Sequence, residues 1–229
     1  MLDRLRILTA NLWNGRADPA ALAALIEAEE VDVACVQELS HEQAEALSAV
    51  LPYGRLEPAS NFTGMGIALR RPAEPGQMPL TYRALRTARL DPKDWPGLAD
   101  PLAIWNVHVR APHTHLNSFA IRRAQLRELL AHLRSEAPAR LALLGDFNAT
   151  PVWPVYRRVA AELRDAAHHV AAARGGRPAR TWPNFRGLAG LRLLRIDHAF
   201  VRGVEPRDVR VLALPGSDHD AVCMDVALG

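Results

Sequence analysis

Short apolar runs, each ended by a polar or acidic residue, alternate along the chain with stretches whose apolar positions recur at helical spacing. Leu5 to Asn11 is the first run and predicts a strand. Asp18-Pro19 then predicts a helix start, with Asp placed to accept from exposed backbone N–H groups and Pro in the first turn, where no N–H is needed. That helix carries Leu22, Leu25 and Ile26. Val31 to Glu38 predicts a second strand and His41 to about Val50 a second helix. Thr63 to Arg70, Leu80 to Leu90 and Leu102 to Val109 read as further strands. Between Asn117 and Arg134, Ile121, Leu126, Leu129, Leu130 and Leu133 fall near one face, the period of a helix lying on a sheet. Leu141 to Leu144 predicts a strand running into Gly145-Asp146-Phe147-Asn148, followed by a helical segment from about Val152 to Leu163. Arg174 to Pro178, with two glycines, predicts a mobile loop. Strands near Ile196 to Val201, Val209 to Leu214 and Ala221 to Val226 complete the pattern. Strands this numerous, with helices mostly between the earlier ones, imply an α/β protein of two stacked sheets flanked by helices.

The length of 229 residues suits one domain spanning 1–229, and 49% hydrophobic with 23% charged residues excludes a disordered, collagen-like or coiled-coil chain. No apolar stretch approaches the roughly 18 residues that suggest a membrane helix. Met1 to Arg6 lacks the apolar centre of a signal peptide, so a soluble, cytoplasmic protein is expected. Cys35 and Cys223 sit in apolar segments without metal or redox spacing and are expected to be buried free thiols. Of the 28 basic residues only Lys93 is a lysine, and the net charge is +3. Pairs such as Arg70-Arg71, Arg122-Arg123 and Arg157-Arg158 are scattered and read as solvated faces. This charge permits an anionic substrate without demanding nucleic acid. No protein partner is implied.

The chemistry concentrates at strand ends: Asn11, Glu38, His108, Asp146 with Asn148, Asp197, and Asp218 with His219. Strand ends on one rim converge in space even when distant in sequence. Singly, each is an ordinary turn former or helix cap; their repetition is not. Hard oxygen ligands without nearby cysteines point to Mg²⁺, with Mn²⁺ as a substitute, rather than zinc. Glu38 is the foremost ligand candidate. Carboxylates beside a histidine supply what phosphoester hydrolysis needs: a partner for water and a donor near the leaving oxygen.

At these positions the chain resembles the endonuclease/exonuclease/phosphatase superfamily, which includes the DNase I-like nucleases, neutral sphingomyelinases and inositol polyphosphate 5-phosphatases. The resemblance rests on Thr9-Ala10-Asn11, Val36-Gln37-Glu38, Asn106-Val107-His108, Gly145-Asp146-Phe147-Asn148, Arg195-Ile196-Asp197-His198 and Gly216-Ser217-Asp218-His219, in family order over nearly the whole chain. It implies a four-layer α-β-β-α sandwich with two mainly antiparallel sheets. It also implies Glu38, Asn11 and Asp218 as metal-site residues and Asp146 as the group that orients or deprotonates water. Asn148 and His108 would contact phosphate oxygens or the leaving group, and Asp197 would hold His219 charged. Whether Asp146 or His219 is the base stays open. AP endonucleases usually carry tyrosine where this chain has His108, which counts against AP-site repair. His113, His115, Trp182 and Arg180 are candidate substrate contacts, and Trp13 and Asn14 candidate pocket residues. Arg174 and Arg177 are further basic residues ahead of that segment. His198 is expected on the opposite strand face in a structural role.

The expected activity is a Mg²⁺-dependent phosphoester hydrolase using an activated water, with nuclease or phosphodiesterase action ahead. Its substrate would be a phosphoester, with nucleic acid as one option. The alternative is a phosphatase of a lipid, isoprenoid or small-molecule phosphate, to which Gly15 to Asp18 and Thr181-Trp182-Pro183 bear some likeness. A silent binding protein would be expected to have lost one of the matched residues. A zinc hydrolase would need a histidine spacing that His113-Thr114-His115 does not provide.

Overall fold

A computed structural model describes residues 4–112, 117–184 and 191–228. The elements run β1 (Arg4–Asn11), α1 (Pro19–Ala28), β2 (Val33–Gln37), α2 (His41–Val50), β3 (Tyr53–Glu57), β4 (Met65–Leu69), β5 (Glu74–Leu80), β6 (Arg83–Leu90), β7 (Leu102–His108), α3 (Ser118–Ser135), β8 (Leu141–Asp146), α4 (Pro154–Ala160), β9 (Arg164–Asp165), α5 (Ala166–Ala173), β10 (Asp197–Arg202), β11 (Pro206–Leu212) and β12 (Ala221–Ala227). They form two six-stranded sheets, ordered β11-β12-β1-β2-β4-β3 and β5-β6-β7-β8-β10-β9.

Each sheet is antiparallel except for one central parallel pair, β1 with β2 and β7 with β8. The inner faces meet over a core of Ile7, Val33, Cys35, Ile67, Ile104, Leu144 and Val201 among others. On the outside, Leu22, Ile26 and Leu47 of α1 and α2 cover the first sheet. Leu129, Leu133, Val155 and Val159 of α3 and α4 cover the second. Four layers result, because strands buried on both faces need apolar cover on each side.

Local chemistry explains the helix starts. Asp18 accepts from the backbone N–H groups of Ala20 (2.9 Å) and Ala21 (3.1 Å). Ser40 and Gln43 cap α2 reciprocally, each side chain accepting from the other's backbone N–H. Both cysteines are buried free thiols. No helix among the described residues is long and apolar enough to cross a membrane.

Several expectations are corrected. The strand expected from Leu80 to Leu90 forms only as β6, Arg83–Leu90, and its first residues make a hairpin corner. β5 stops at Leu80, Tyr82 turns the chain at φ +72°, and Glu128 accepts from the Thr81 backbone N–H and hydroxyl, each at 2.6 Å. β5 itself is hidden by Pro75, Gly76 and Pro79, which read as loop but are tolerated on a sheet edge, where missing donors cost little. The edge strand β3 is hidden similarly by Gly54 and its mostly exposed residues. The Ala-rich α5 lacks polar contrast; it is started by Asp165, which accepts from His168 N–H. The segment Val152 to Leu163 is helical only over α4.

Arg122, expected on a solvated face, is buried. It donates to the carbonyls of Arg110 and of Asn148 (3.1 Å), tying two loops to α3.

Buried polar contacts lock the frame around the strand ends. The Gln37 amide nitrogen donates across the sheet interface to Asn106 Oδ1 (2.7 Å), and Asn106 Nδ2 donates to the carbonyls of Val36 (2.9 Å) and Gly66 (2.8 Å). This bridge lies one residue before Glu38 and two before His108, so it sets how the two halves of the rim face each other.

Behind the rim, Asp165 accepts from Arg195 (2.7 Å) and the Tyr156 hydroxyl (2.5 Å), all three being buried. Although burial raises the Asp165 pKa, the Arg195 and Tyr156 contacts hold it below the usual carboxylate value. Its stabilising contribution is therefore present above the unfolded-state pKa and lost as pH falls through the lower folded value. Asp165→Ala is expected to destabilise the protein by about 3–5 kcal/mol, because it leaves a buried guanidinium without its counter-charge. Urea unfolding at neutral pH checks this; a loss below about 1 kcal/mol would show that the pair is not buried as described.

Candidate active site

The carboxyl ends of the two parallel pairs point to the same rim. From β1 comes Asn11, from β2 the adjacent Glu38, from β7 His108 and from β8 Asp146. β10 runs the other way and opens at Asp197, whose register partner is Asp146. The turn before β12 supplies Asp218 and His219. Parallel strands deliver their ends together, and antiparallel neighbours their beginnings, so these residues meet although 208 positions separate Asn11 from His219.

Two glycines permit this local shape. Gly145 sits at φ +144°, and a Cβ there would lie 1.9 Å from the Val107 carbonyl oxygen. Gly216, at φ +87°, would place a Cβ 2.2 Å from the Arg16 carbonyl oxygen. Trp13, Asn14, Glu38 and Asn148 also have left-handed backbone. Such conformations are costly for side-chain-bearing residues and cluster at functional sites.

The polar groups interlock. Asn11 Nδ2 donates to Glu38 Oε1 (3.2 Å) and Asp146 Oδ2 (3.0 Å), while Asn11 Oδ1 accepts from Trp13 N–H (2.9 Å). Asp146 also accepts from the Asn148 backbone N–H (2.7 Å) and side-chain amide (2.9 Å). His108 Nε2 lies 3.5 Å from Asp146 Oδ2 and 3.7 Å from Glu38 Oε1, and its Nδ1 contacts the Arg83 guanidinium. His219 Nδ1 faces both Asp197 oxygens at 3.0 and 3.1 Å. Ser217 braces this end, donating to the Asn11 carbonyl (2.7 Å) and accepting from His219 N–H (3.0 Å).

Electrostatics separates the two histidines. Burial alone would lower the His219 pKa, but Asp197, Asp146 and Asp218 outweigh it and hold the ring charged well above neutrality. Burial, with Arg83, His219 and Arg110 nearby, drives the His108 pKa well below its usual value and keeps it neutral. Burial and the neighbouring Asp197 raise the Asp146 pKa, opposed by His219 and the donors from Asn148 and Asn11. Burial likewise raises the Glu38 pKa.

A cavity of about 430 Å³ opens over these groups, lined by Glu38, His108, Asp146, Asn148, Asp218 and His219, with Trp13, Phe62, Tyr82, Arg83, Arg110 and Trp182 forming its walls. Trp182 donates from Nε1 to Asp218 Oδ2 (3.0 Å), and its ring centroid lies 6.3 Å from that of His219. Asn14 is not among the lining residues.

Of the other sequence candidates, Arg180 is exposed, reaches the Arg192 carbonyl (3.4 Å) and does not line the cavity. Arg174 pairs with Asp208 (2.8 Å). His113 and His115 lie outside the described residues. His198 is buried against Phe147, Tyr156 and Phe200 and bonds the Ala149 carbonyl (2.7 Å), which fits a structural role. Arg83, Arg110, Tyr82 and Phe62 were not singled out from the sequence; none sits in a motif, and they reach the cavity from the hairpin corner (Tyr82, Arg83), the chain leaving β7 (Arg110) and the connection between β3 and β4 (Phe62).

The donor set fits a hard divalent cation. Glu38 and Asp218 offer oxygens, Asp218 Oδ1 is buried without a hydrogen-bond donor among the described residues, and Asn11 stands beside them with Nδ2 on Glu38 and Oδ1 on the Trp13 N–H. Asp146, Asp197 and His219 also place one potential ligand atom each within 4.8 Å of one another. In that second cluster His219 Nδ1 is already engaged by Asp197, so it is better suited to holding a charged ring than a metal.

Comparisons with known proteins agree with this fold. A conserved protein of unknown function from Enterococcus faecalis V583 superposes with a TM-score of 0.76 at 21% identity, covering 98% of this chain and 100% of that one. The human nocturnin catalytic domain with bound sulfate gives 0.74 at 21% identity, covering 100% and 96%. A mannosyl-6-phosphatase from Bacteroides thetaiotaomicron gives 0.71 at 16% identity, covering 97% and 99%. At these identities the likeness shows the fold. None of the curated proteins compared matches the chain in sequence. The profile of the Endonuclease/Exonuclease/phosphatase family matches residues 8–219, and with the strand-end residues assembled at one rim of its two-sheet sandwich, this chain belongs to that family.

Proposed function

We propose that the protein hydrolyses phosphoesters with Mg²⁺, or Mn²⁺ in its place, and an activated water. The observation that carries this reading is the convergence of a buried base-like carboxylate, Asp146, and a charged imidazole, His219, beside the carboxylates of Glu38 and Asp218 and the amide of Asn11. Glu38, Asn11 and Asp218 would hold the cation, which when bound supplies positive charge to the phosphoryl oxygens.

Asp146 orients the attacking water and takes its proton, because its raised proton affinity makes it a better base than an ordinary carboxylate. His219 is already protonated and cannot be that base; its Nε2–H faces developing negative charge on the phosphate. Asp197 keeps the ring charged and fixes which nitrogen faces the cavity. His108, neutral and acceptor at Nδ1 toward Arg83, offers Nε2–H as a donor, and Asn148 stands beside Asp146 to position a phosphate oxygen.

The composition, with 6% aromatic residues and a net charge of +3, does not call for a nucleic-acid substrate. The cavity volume instead lies in the range of small-molecule sites. That supports the alternative, a phosphatase of a small-molecule or lipid-derived phosphate, as the better reading of the substrate. The neighbouring mannosyl-6-phosphatase is in keeping with it.

Glu38→Gln tests the cation assignment. It is expected to raise the Mg²⁺ concentration for half-maximal activity about tenfold or more, as loss of a charged ligand should. An unchanged Mg²⁺ requirement would remove Glu38 from the cation site.

A further inference from the structure

One wall of the cavity carries positive charge that hydrolysis of a simple diester does not use. Arg83 opens β6 and Arg110 follows two residues after His108, so the two guanidiniums arrive from neighbouring strands. Both stand over the Tyr82 ring, at 5.5 Å and 4.2 Å from its centroid. Their Nε–H groups are buried and meet no acceptor, and neither arginine forms an ion pair with a carboxylate among the described residues. Buried donors of this strength are normally satisfied, and leaving them unmatched is costly.

The Arg110 backbone is held firmly in place. Its N–H donates to Gln125 Oε1 (2.9 Å) and its carbonyl accepts from Arg122, both residues of α3. The backbone that carries the guanidinium is therefore fixed, as a recognition group requires.

We infer that Arg83 and Arg110, braced by Tyr82, form a subsite for a second phosphate of the substrate, so that diphosphates are preferred over simple diesters. This rests on the phosphoesterase reading for the scissile phosphate. A diester carries one negative charge, which His219 and a divalent cation already meet. Two further guanidiniums without a carboxylate partner among the described residues, Arg83 meeting only the neutral His108 Nδ1, call for additional anionic charge, and their planar forks match phosphate oxygens.

The test compares adenosine diphosphate with bis(p-nitrophenyl) phosphate, and adds calorimetric titration with inorganic pyrophosphate in buffer free of divalent ions. Arg110→Gln is expected to lose about tenfold more kcat/KM on adenosine diphosphate than on the diester, and to bind pyrophosphate about tenfold more weakly, the effect of one lost charge-assisted contact. Equal losses on both substrates, or pyrophosphate binding unchanged by the substitution, would overturn the subsite. If wild type hydrolyses neither compound nor p-nitrophenyl phosphate, a monoester, yet binds pyrophosphate through Arg110, the subsite stands and the phosphoesterase reading falls. Circular dichroism confirms that the variant is folded.

Discussion

Asp146→Asn is expected to lower kcat/KM about a thousandfold, the usual scale for loss of a positioned general base, while stability stays the same or rises. Asp146 is 1% exposed, and burial makes its charged form costly. An amide of the same shape removes that cost and keeps one oxygen for the side-chain amides of Asn11 and Asn148, while the Asn148 backbone N–H at the other position loses its acceptor and offsets part of the gain. The pairing of lost rate with retained stability separates a group that serves the transition state from one that serves the fold. Turnover and thermal melting of the same preparation check both halves. In the wild type the acidic limb of the pH–rate profile belongs to this carboxyl, so it should sit above the ordinary Asp range. In the Asn variant that limb should vanish from the residual rate.

Asp197→Asn is expected to lower activity at neutral pH about a hundredfold and to shift the basic limb to lower pH. Burial disfavours the charged His219 ring, and Asp197 is the foremost group opposing it. With that carboxylate neutralised, burial prevails and the folded-state pKa falls. Activity needs the protonated ring, so it is retained only below the lowered pKa and lost as pH rises through it. His219→Ala should abolish the basic limb altogether. A kcat/KM profile from pH 4 to 10 distinguishes the outcomes; a basic limb unmoved in Asp197→Asn would contradict the pairing.

Much of this site is legible in the chain because strand ends carry it. Asn11, Glu38, His108, Asp146, Asp197 and His219 each close or open a run whose alternation or continuous apolarity marks a strand, and Asp18 and Ser40 mark helix starts by capping chemistry. Two stacked sheets flanked by helices follow from the same pattern, and the four-layer arrangement from the family resemblance. Hidden from it are features fixed by tertiary contact. β5 contains two prolines and a glycine, so local propensity argues for a loop, and only its place on a sheet edge makes it a strand. Arg122 looks like a solvated residue of α3 because charge suggests exposure; it is buried because two loop carbonyls need a donor there. Arg83 and Tyr82 sit at a corner that reads as mid-strand, and Arg110 has no motif, so the basic wall emerges only when β6 and β7 pair. Arg180 shows the converse, a loop arginine near a motif whose guanidinium turns to the Arg192 carbonyl instead of the cavity.

The most direct test of the site as a metal-assisted phosphoesterase is hydrolysis by wild type and His219→Ala side by side in Mg²⁺. Release of inorganic phosphate from phosphomonoesters and diphosphates, p-nitrophenol from the diester, and nicking of supercoiled plasmid would be scored together. The account predicts turnover by wild type on at least one phosphate compound, abolished by chelation, restored by Mg²⁺ and lost in His219→Ala. Turnover that survives chelation, or that a folded His219→Ala protein matches, would contradict it.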